Sequence, residues 1–356
     1  MSRAIDVCGR MVAMGAEPFV IAEIGVNHDG SVARARELVR AARDAGADAA
    51  KFQMFDADML MSRDAVLAAY QRANGARDPR ELLRGLQLPV DALGALAEEC
   101  RAIGIVPMVT VFSLPLFAHA RVQPWAAFKT ASPDIVNLPL LRAAMSMARP
   151  LFVSTGAATG NEVAQAARWL APHADVAFLQ CTSSYPTSDE CAAIGGMHEI
   201  LAITGRAVGY SDHTASVDAG GLAVAAGACV LEKHLTYDRA AAGPDHAASL
   251  DPAQFAEYVR LARRAARMVG SSRKVLQDVE RDVRRVSRQS IVAARDIAAG
   301  AFITAADIAV KRPGTGICAS RIDEIIGRRA ARAIESDRVL TEADVGLRAA
   351  PLECAP

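Results

Sequence analysis

No apolar run in this 356-residue sequence reaches the roughly eighteen uncharged residues that a membrane-spanning helix needs. The opening stretch MSRAIDVCGRMVAMGAEPF lacks the continuous apolar segment of a signal peptide. Neither sign of charge is in excess, since forty basic residues face forty acidic ones. Such a chain has no net field to gather nucleic acid or an anionic membrane, so any anion it binds is held by local groups. The seven cysteines are scattered, odd in number and never spaced C-x-x-C. That pattern argues against a disulfide framework or a thiolate zinc site and is the usage of reduced thiols in a cytoplasm. No glycine-rich P-loop and no G-x-G-x-x-G follows a strand pattern, which disfavours a nucleotide.

What the sequence does have is core and alternation. Apolar residues make up 52% of a chain too long for one compact core. One large domain over residues 1–270, a charged linker over 271–287 and a small β-rich domain over 288–350 are expected. Eight β-rich runs alternate with helical segments: FVIAEIG (19–25), DAAKFQ (48–53), IVPMVTVF (105–112), AAFKTAS (126–132), LFVSTG (151–156), VAFLQCTSS (176–184), AVGYSDH (207–213) and ACVLEKHL (228–235). In SVARARELVRAARDAGA, Ser31 can cap a helix whose stripe is Val32, Ala35, Leu38, Val39 and Ala42, with Gly46 ending it. Eight such units predict an α/β fold, a (β/α)8 barrel, whose chemistry lies at the C-terminal ends of its strands.

Those ends carry Glu23, Lys51 with Gln53, Thr110, Lys129 with Ser132, Ser154 with Thr155, Thr182 with Ser183, Ser211 with His213, and Glu232 with His234. Emergence into solvent explains serine and threonine there. It does not explain Lys51 and Lys129 inside apolar runs, where a lone ammonium is costly unless an anion meets it. Two lysines and several hydroxyls at one mouth suit a small, multiply charged anion such as a phosphate ester with a carboxylate. His213 and His234 end adjacent strands and can approach one cation with coordination positions left open. Period-two alternation sends Lys233 to the helix layer. In the small domain, ARDIAAGAFITAADI is echoed by ARAIESDRVLTEADV, an internal pseudo-repeat.

The motifs IAEIGVNHDG, GADAAKFQ, KTASPDIVNLPLL, STGAAT, CTSSYPT, GYSDHT, LEKHLT, GPDH and IAVKRPGTGI occur in order. Together they make the chain resemble the sialic acid (nonulosonic acid) synthases from about residue 3 to residue 348. The resemblance implies a barrel joined to an antifreeze-like domain. It implies an enzyme that condenses phosphoenolpyruvate with the open-chain aldehyde of an N-acylated hexosamine, N-acetylmannosamine or a diacetamido-trideoxyhexose, giving a nine-carbon 2-keto sugar acid and phosphate. Mn2+ or Mg2+ and a domain-swapped homodimer belong to the same pattern. By motif, His213 and His234 match the metal ligands. Lys51, Thr110, Lys129, Ser132, Ser154 and Ser211 match the phosphoenolpyruvate pocket, Lys51 being also a catalytic position, and Ser183 is a further substrate-binding position. Glu23, Gln53, Tyr185 and Asp245 match acceptor-side or catalytic positions. Asp134 stands where several bacterial members carry a catalytic Glu, and Arg312 matches an arginine reaching across the dimer. Gln180 and Pro133 depart from the family's frequent His and Gly. Residues 56–89, which shape the acceptor pocket, match no motif. A different aldehyde acceptor in specialised metabolism is the alternative. An ice- or carbohydrate-binding scaffold and a Schiff-base aldolase using Lys51 or Lys129 are readings from other classes.

Overall fold

The computed structural model describes residues 4–66 and 78–348, and the chain divides into two compact units at Ser271 and Ser272. In the first unit eight parallel strands close into a barrel in chain order: β3 (Phe19–Gly25), β4 (Ala49–Met54), β5 (Val106–Val111), β6 (Ala127–Thr130), β7 (Leu151–Ser154), β8 (Val176–Cys181), β9 (Ala207–Asp212) and β10 (Val230–His234), which pairs back to β3. These strands read as near-continuous apolar runs because both faces are covered, the inner by the opposite wall and the outer by helices. The expected barrel is therefore present: β3 has the expected bounds, β4 is shifted by one residue, and the other six strands are shorter than expected by one to three residues. β6 stops at Thr130 because Pro133 has no N–H for a ladder, and Ser132–Val136 turns into a short 3-10 helix instead.

Helix Val32–Asp44 illustrates the outer layer. Ser31 accepts from the Arg34 backbone N–H, and Ala35, Leu38, Val39 and Ala42 are buried. Gly46 follows the last turn with φ +87°, the left-handed conformation a glycine adopts without strain. Among the described residues no helix is long and apolar enough to cross a membrane.

The N-terminal hairpin, β1 (Ile5–Val7) with β2 (Arg10–Val12), was not expected. Its Ile5, Val7 and Val12 pack with Phe19, Met108, Phe152 and other residues near the strand N-termini. That apolar plug fills the floor of the barrel and leaves polar chemistry to the opposite end.

The second unit contains helix Arg281–Ser287 in what was read as linker, and an antiparallel pair, β11 (Ser290–Ala293) with β12 (Ile308–Lys311). The pseudo-repeat is visible in its polar joints. Thr304 and Asp307 form a capping box tied to Arg295 at 2.5 Å, and Thr341 and Asp344 form another tied to Arg332 at 2.5 Å. The two halves meet through bridges pairing Ile297 with Ile334 and Val292 with Val339, around a core including Ile291, Ile303 and Ile317.

Candidate active site

A cavity of about 510 Å3 opens where the barrel strands end, lined by every barrel residue proposed above as a site residue. Strand register explains the convergence. His234 lies opposite Glu23, Glu23 opposite Lys51, Gln53 opposite Thr110, and Thr110 opposite Lys129. β3 carries a register irregularity between Glu23 and Gly25. Gly25 has φ +55°, and a Cβ there would stand 3.1 Å from Glu23 Oε1 and 3.2 Å from Gln53 Nε2. Glycine thus lets the chain turn while Gln53 Nε2 donates to Glu23 Oε1 at 2.8 Å.

The lysines are not lone ammonium groups, and here the expectation is corrected. Lys51 Nζ lies 2.7 Å from Glu23 and 3.8 Å from Glu232, and donates to Thr110 Oγ1 at 3.0 Å. Lys129 Nζ lies 3.2 Å from Glu232 and donates to Ser154 Oγ at 2.6 Å. Glu232 also accepts from Ser211 Oγ at 2.8 Å. The chain's own carboxylates supply the counter-charge, so burial alone does not demand a bound anion. Glu232, absent from the expected site set, is the hinge of this network. Its signal was present in VLEKHLT, two residues before His234 and therefore on the same strand face.

Protonation follows the geometry. Burial raises Lys51's cost, yet two flanking carboxylates outweigh it and raise its pKa. Burial lowers that of Lys129, and Glu232 offsets this only in part. Glu232 is held down at about 2, since Lys129 and Lys51 outweigh its burial. Lys129 is thus the undercompensated cation at the cavity floor.

Ser132 Oγ accepts from the Gly156 N–H at 3.1 Å. A side-chain carbon at Gly156 would run into the Ser183 and Ser132 hydroxyls, so glycine keeps a small polar niche open beside Lys129's strand. Two strand-end hydroxyls serve the scaffold instead: Thr155 donates to Leu179 O at 3.0 Å, and Thr182 to Cys191 O at 2.7 Å. Lys233 faces outward as expected, pairing with Asp212 at 3.1 Å, bonding Thr214 O and lying over the Tyr258 ring.

The imidazoles of His213 and His234 approach to 5.4 Å between centroids, with Tyr185 packed at 4.0 Å from His213 and edge-on to His234 at 5.8 Å. His213 Nδ1 lies 2.8 Å from Thr182 O; a carbonyl only accepts, so Nδ1 carries a proton and Nε2 is the nitrogen left to face a cation. Asp245 Oδ2 lies 3.6 Å from His234 Nδ1. Asp134 lies on the 3-10 turn after β6. Among the described residues its buried Oδ2 has no hydrogen-bond partner, and Oδ1 accepts from Asn137 Nδ2 at 3.4 Å. Burial pushes its carboxyl up to about 6. Arg312 belongs to the second unit, exposed at a cis Arg312–Pro313 bond.

Residues 38–274 match the NeuB family, and residues 288–346 match the SAF domain. The chain belongs to the NeuB family. A family relative in Legionella pneumophila, an N,N'-diacetyllegionaminic acid synthase, is 38% identical over 322 residues, 87% of this chain and 90% of that protein. The N-acetylneuraminate-9-phosphate synthase of Mus musculus is 32% identical over 352 residues, covering 97% of this chain and 98% of its own. A solved N-acetylneuraminic acid synthetase from Leptospira borgpetersenii, in complex with citrate, superimposes with TM-score 0.73 at 27% identity, over 80% of this chain and 95% of its own.

In this NeuB-family chain the imidazole pair fits a divalent cation. Among the described residues the buried His234 Nδ1 has no hydrogen-bond partner, and burial first, His213 second, hold its pKa well below the usual value. A neutral ring with an orphaned nitrogen is a ligand in waiting. No group of three or more His, Cys, Asp or Glu forms a cage among the described residues, so protein donors beyond the two rings are few.

Proposed function

We propose that this chain condenses phosphoenolpyruvate with the open-chain aldehyde of an N-acylated hexosamine, using one water and releasing phosphate, to give a nine-carbon 2-keto sugar acid. The observation that carries the reading is the coupling of Lys129, Lys51, Glu232 and Glu23 beside the His213–His234 pair in one cavity. Lys129, Ser154, Ser132 and the Gly156 niche receive the phosphate and carboxylate of phosphoenolpyruvate, fixing its C3 toward the aldehyde. Lys51, tied to both carboxylates, passes charge between floor and acceptor when the anion enters. Glu23 with Gln53, Tyr185 and Asp245 orient the acceptor. After the C3–C1 bond forms, water adds at C2. Asp134, with a free carboxylate oxygen and a pKa of about 6, is the base that takes its proton. His213 and His234 would hold Mn2+ or Mg2+, which would supply Lewis-acid polarisation of the aldehyde oxygen.

The reading is supported by relatives across the family that are synthases of legionaminic, pseudaminic and sialic acids. We extend it to a swapped dimer in which Arg312 of one protomer serves the acceptor in its partner. The test is phosphate release from phosphoenolpyruvate with a panel of N-acylhexosamines and Mn2+, with mass spectrometry of the product. Release coupled to a nine-carbon acid is expected; no release with any acceptor would refute the condensation. Mn2+ titration followed by electron paramagnetic resonance should lose its binding event in His213→Ala and in His234→Ala, and unchanged binding would remove the metal from the scheme.

A further inference from the structure

Two sequence motifs, NHDG (27–30) and GPDH (243–246), meet in space although the chain separates them by most of the barrel. Asn27, Asp29 and His246 are not among the described residues that line the cavity, whereas Asp245 is. Asn27, just after β3, has no exposed surface. Its Nδ2 donates to Leu235 O at 2.9 Å and to Ser249 Oγ at 2.8 Å. Ser249 Oγ donates in turn to Asp245 O at 2.6 Å. The direction is fixed, since a carbonyl only accepts: Ser249 gives its proton to Asp245 and receives from Asn27. Leu235 follows His234 directly, so one amide holds the backbone beside His234 and, through a hydroxyl, the backbone of Asp245.

A second tether grips the residue after Asp245. His246 Nε2 lies 2.9 Å from Asp29 Oδ1, and its Nδ1 lies 2.7 Å from Thr236 Oγ1. Asp29 is itself steadied by Arg34 at 2.5 Å and by the Tyr237 hydroxyl at 2.9 Å. A Cβ at Gly243 would stand 2.6 Å from His246 Cδ2, so glycine lets the loop fold close over the ring. Asp245 is thereby presented with Oδ2 3.6 Å from His234 Nδ1. Asn27 Oδ1 has no hydrogen-bond partner among the described residues. A buried amide met on one side only carries a burial cost that packing does not explain, and what it supplies is its two donors.

We propose that Asn27 is a positioning residue for the condensation: it sets Asp245 against His234, and the Asp29–His246 pair holds the same loop from its other side. This rests on the condensation reading, in which Asp245 orients the acceptor. Asn27 acts only through where it puts Asp245 and His234. Its effect is selective, because β10 and β3 face β6 and β7 across the closed barrel, and Lys129 and Ser154 on that far side are assigned to phosphoenolpyruvate.

The experiment compares the full-length wild type with Asn27→Ala, Ser249→Ala, Asp245→Ala and the Ser249→Ala/Asp245→Ala double variant. It uses Mn2+ and the N-acylhexosamine that the wild type turns over fastest. Asn27→Ala and Ser249→Ala should each lower kcat/KM for the acceptor about ten- to hundredfold. Phosphoenolpyruvate binding, measured by calorimetric titration, should stay unchanged in both. Adding Ser249→Ala to Asp245→Ala should cost nothing further, since a residue that works through Asp245 is silent once that carboxyl is gone. Ser249→Ala deletes one hydroxyl and keeps the Asn27–Leu235 bond, so it decides the matter where Asn27→Ala does not fold. Additive losses in the double variant, equal losses for both substrates, or an unchanged acceptor kcat/KM in Ser249→Ala would overturn this inference and leave the condensation standing. Wild-type protein that releases no phosphate with any acceptor would overturn both.

Discussion

Lys51 stands between two carboxylates, whereas Lys129 reaches only Glu232, and this difference sets what each substitution does. Lys129→Met removes charge-assisted bonds to the anion, worth about 1.5–3 kcal/mol, so KM for phosphoenolpyruvate should rise roughly ten- to hundredfold with little change in the acceptor's. Equal changes in both would assign Lys129 a general role. Glu232→Gln leaves two buried ammonium groups short of a partner, and urea unfolding should show a loss of about 3 kcal/mol. Asp134 predicts a pH signature. Its folded pKa of about 6 lies above the ordinary 3.8, so below that range the protonated carboxyl adds nothing unfavourable to the fold. The penalty of ionising it in place appears as pH rises from 3.8 to about 6. As a base it works only when ionised, so kcat should climb as pH passes upward through about 6. Asp134→Asn should flatten that limb and slow turnover about a hundredfold. A limb that survives in the variant would move the base to another residue.

At the scale of elements, legibility in the sequence followed local rules. All eight barrel strands and helix Val32–Asp44 could be read from periodicity because burial on both faces and a Ser cap leave a direct trace. The histidine pair could be read because adjacent strands bring their ends together. The ion pairs could not. Whether Lys51 meets a ligand or Glu23 depends on barrel register, in which residues twenty-eight positions apart become neighbours, and no local pattern carries that. The hairpin Ile5–Val12 escaped notice because its strands have three residues each, too few for a period. Leu60, Leu82, Leu83 and Leu86, which line the cavity, lie in residues 56–89, where no motif pointed; residues 67–77 of that range lie outside the described ones. In the small domain the repeat gives matched joints, so Asp307→Ala and Asp344→Ala should cost about 1 kcal/mol each, near equally, in the unfolding of that domain. A cost confined to one of them would deny the repeat an energetic basis.

At the scale of the molecule, the proposed swapped dimer makes a prediction that single protomers cannot satisfy. Arg312→Ala should raise acceptor KM and spare phosphoenolpyruvate. Lys51→Met should silence its own barrel. Co-expressing the two should place an intact arginine over an intact barrel in roughly a quarter of sites, restoring turnover at low acceptor concentration. Mixtures no better than the sum of the separate variants would rule out exchange of domains.

The hairpin plug has its own bearing on traffic. With Ile5, Val7 and Val12 packed against the strand N-termini, the described residues leave the cavity to be entered from the strands' C-terminal ends. If the condensation proposal holds and the anion sits against Lys129 behind the sugar, the anion has to arrive first. Leaving groups retreat along the same corridor. Steady-state kinetics should therefore be sequential and ordered, with the aldehyde competing against nothing until phosphoenolpyruvate is already inside.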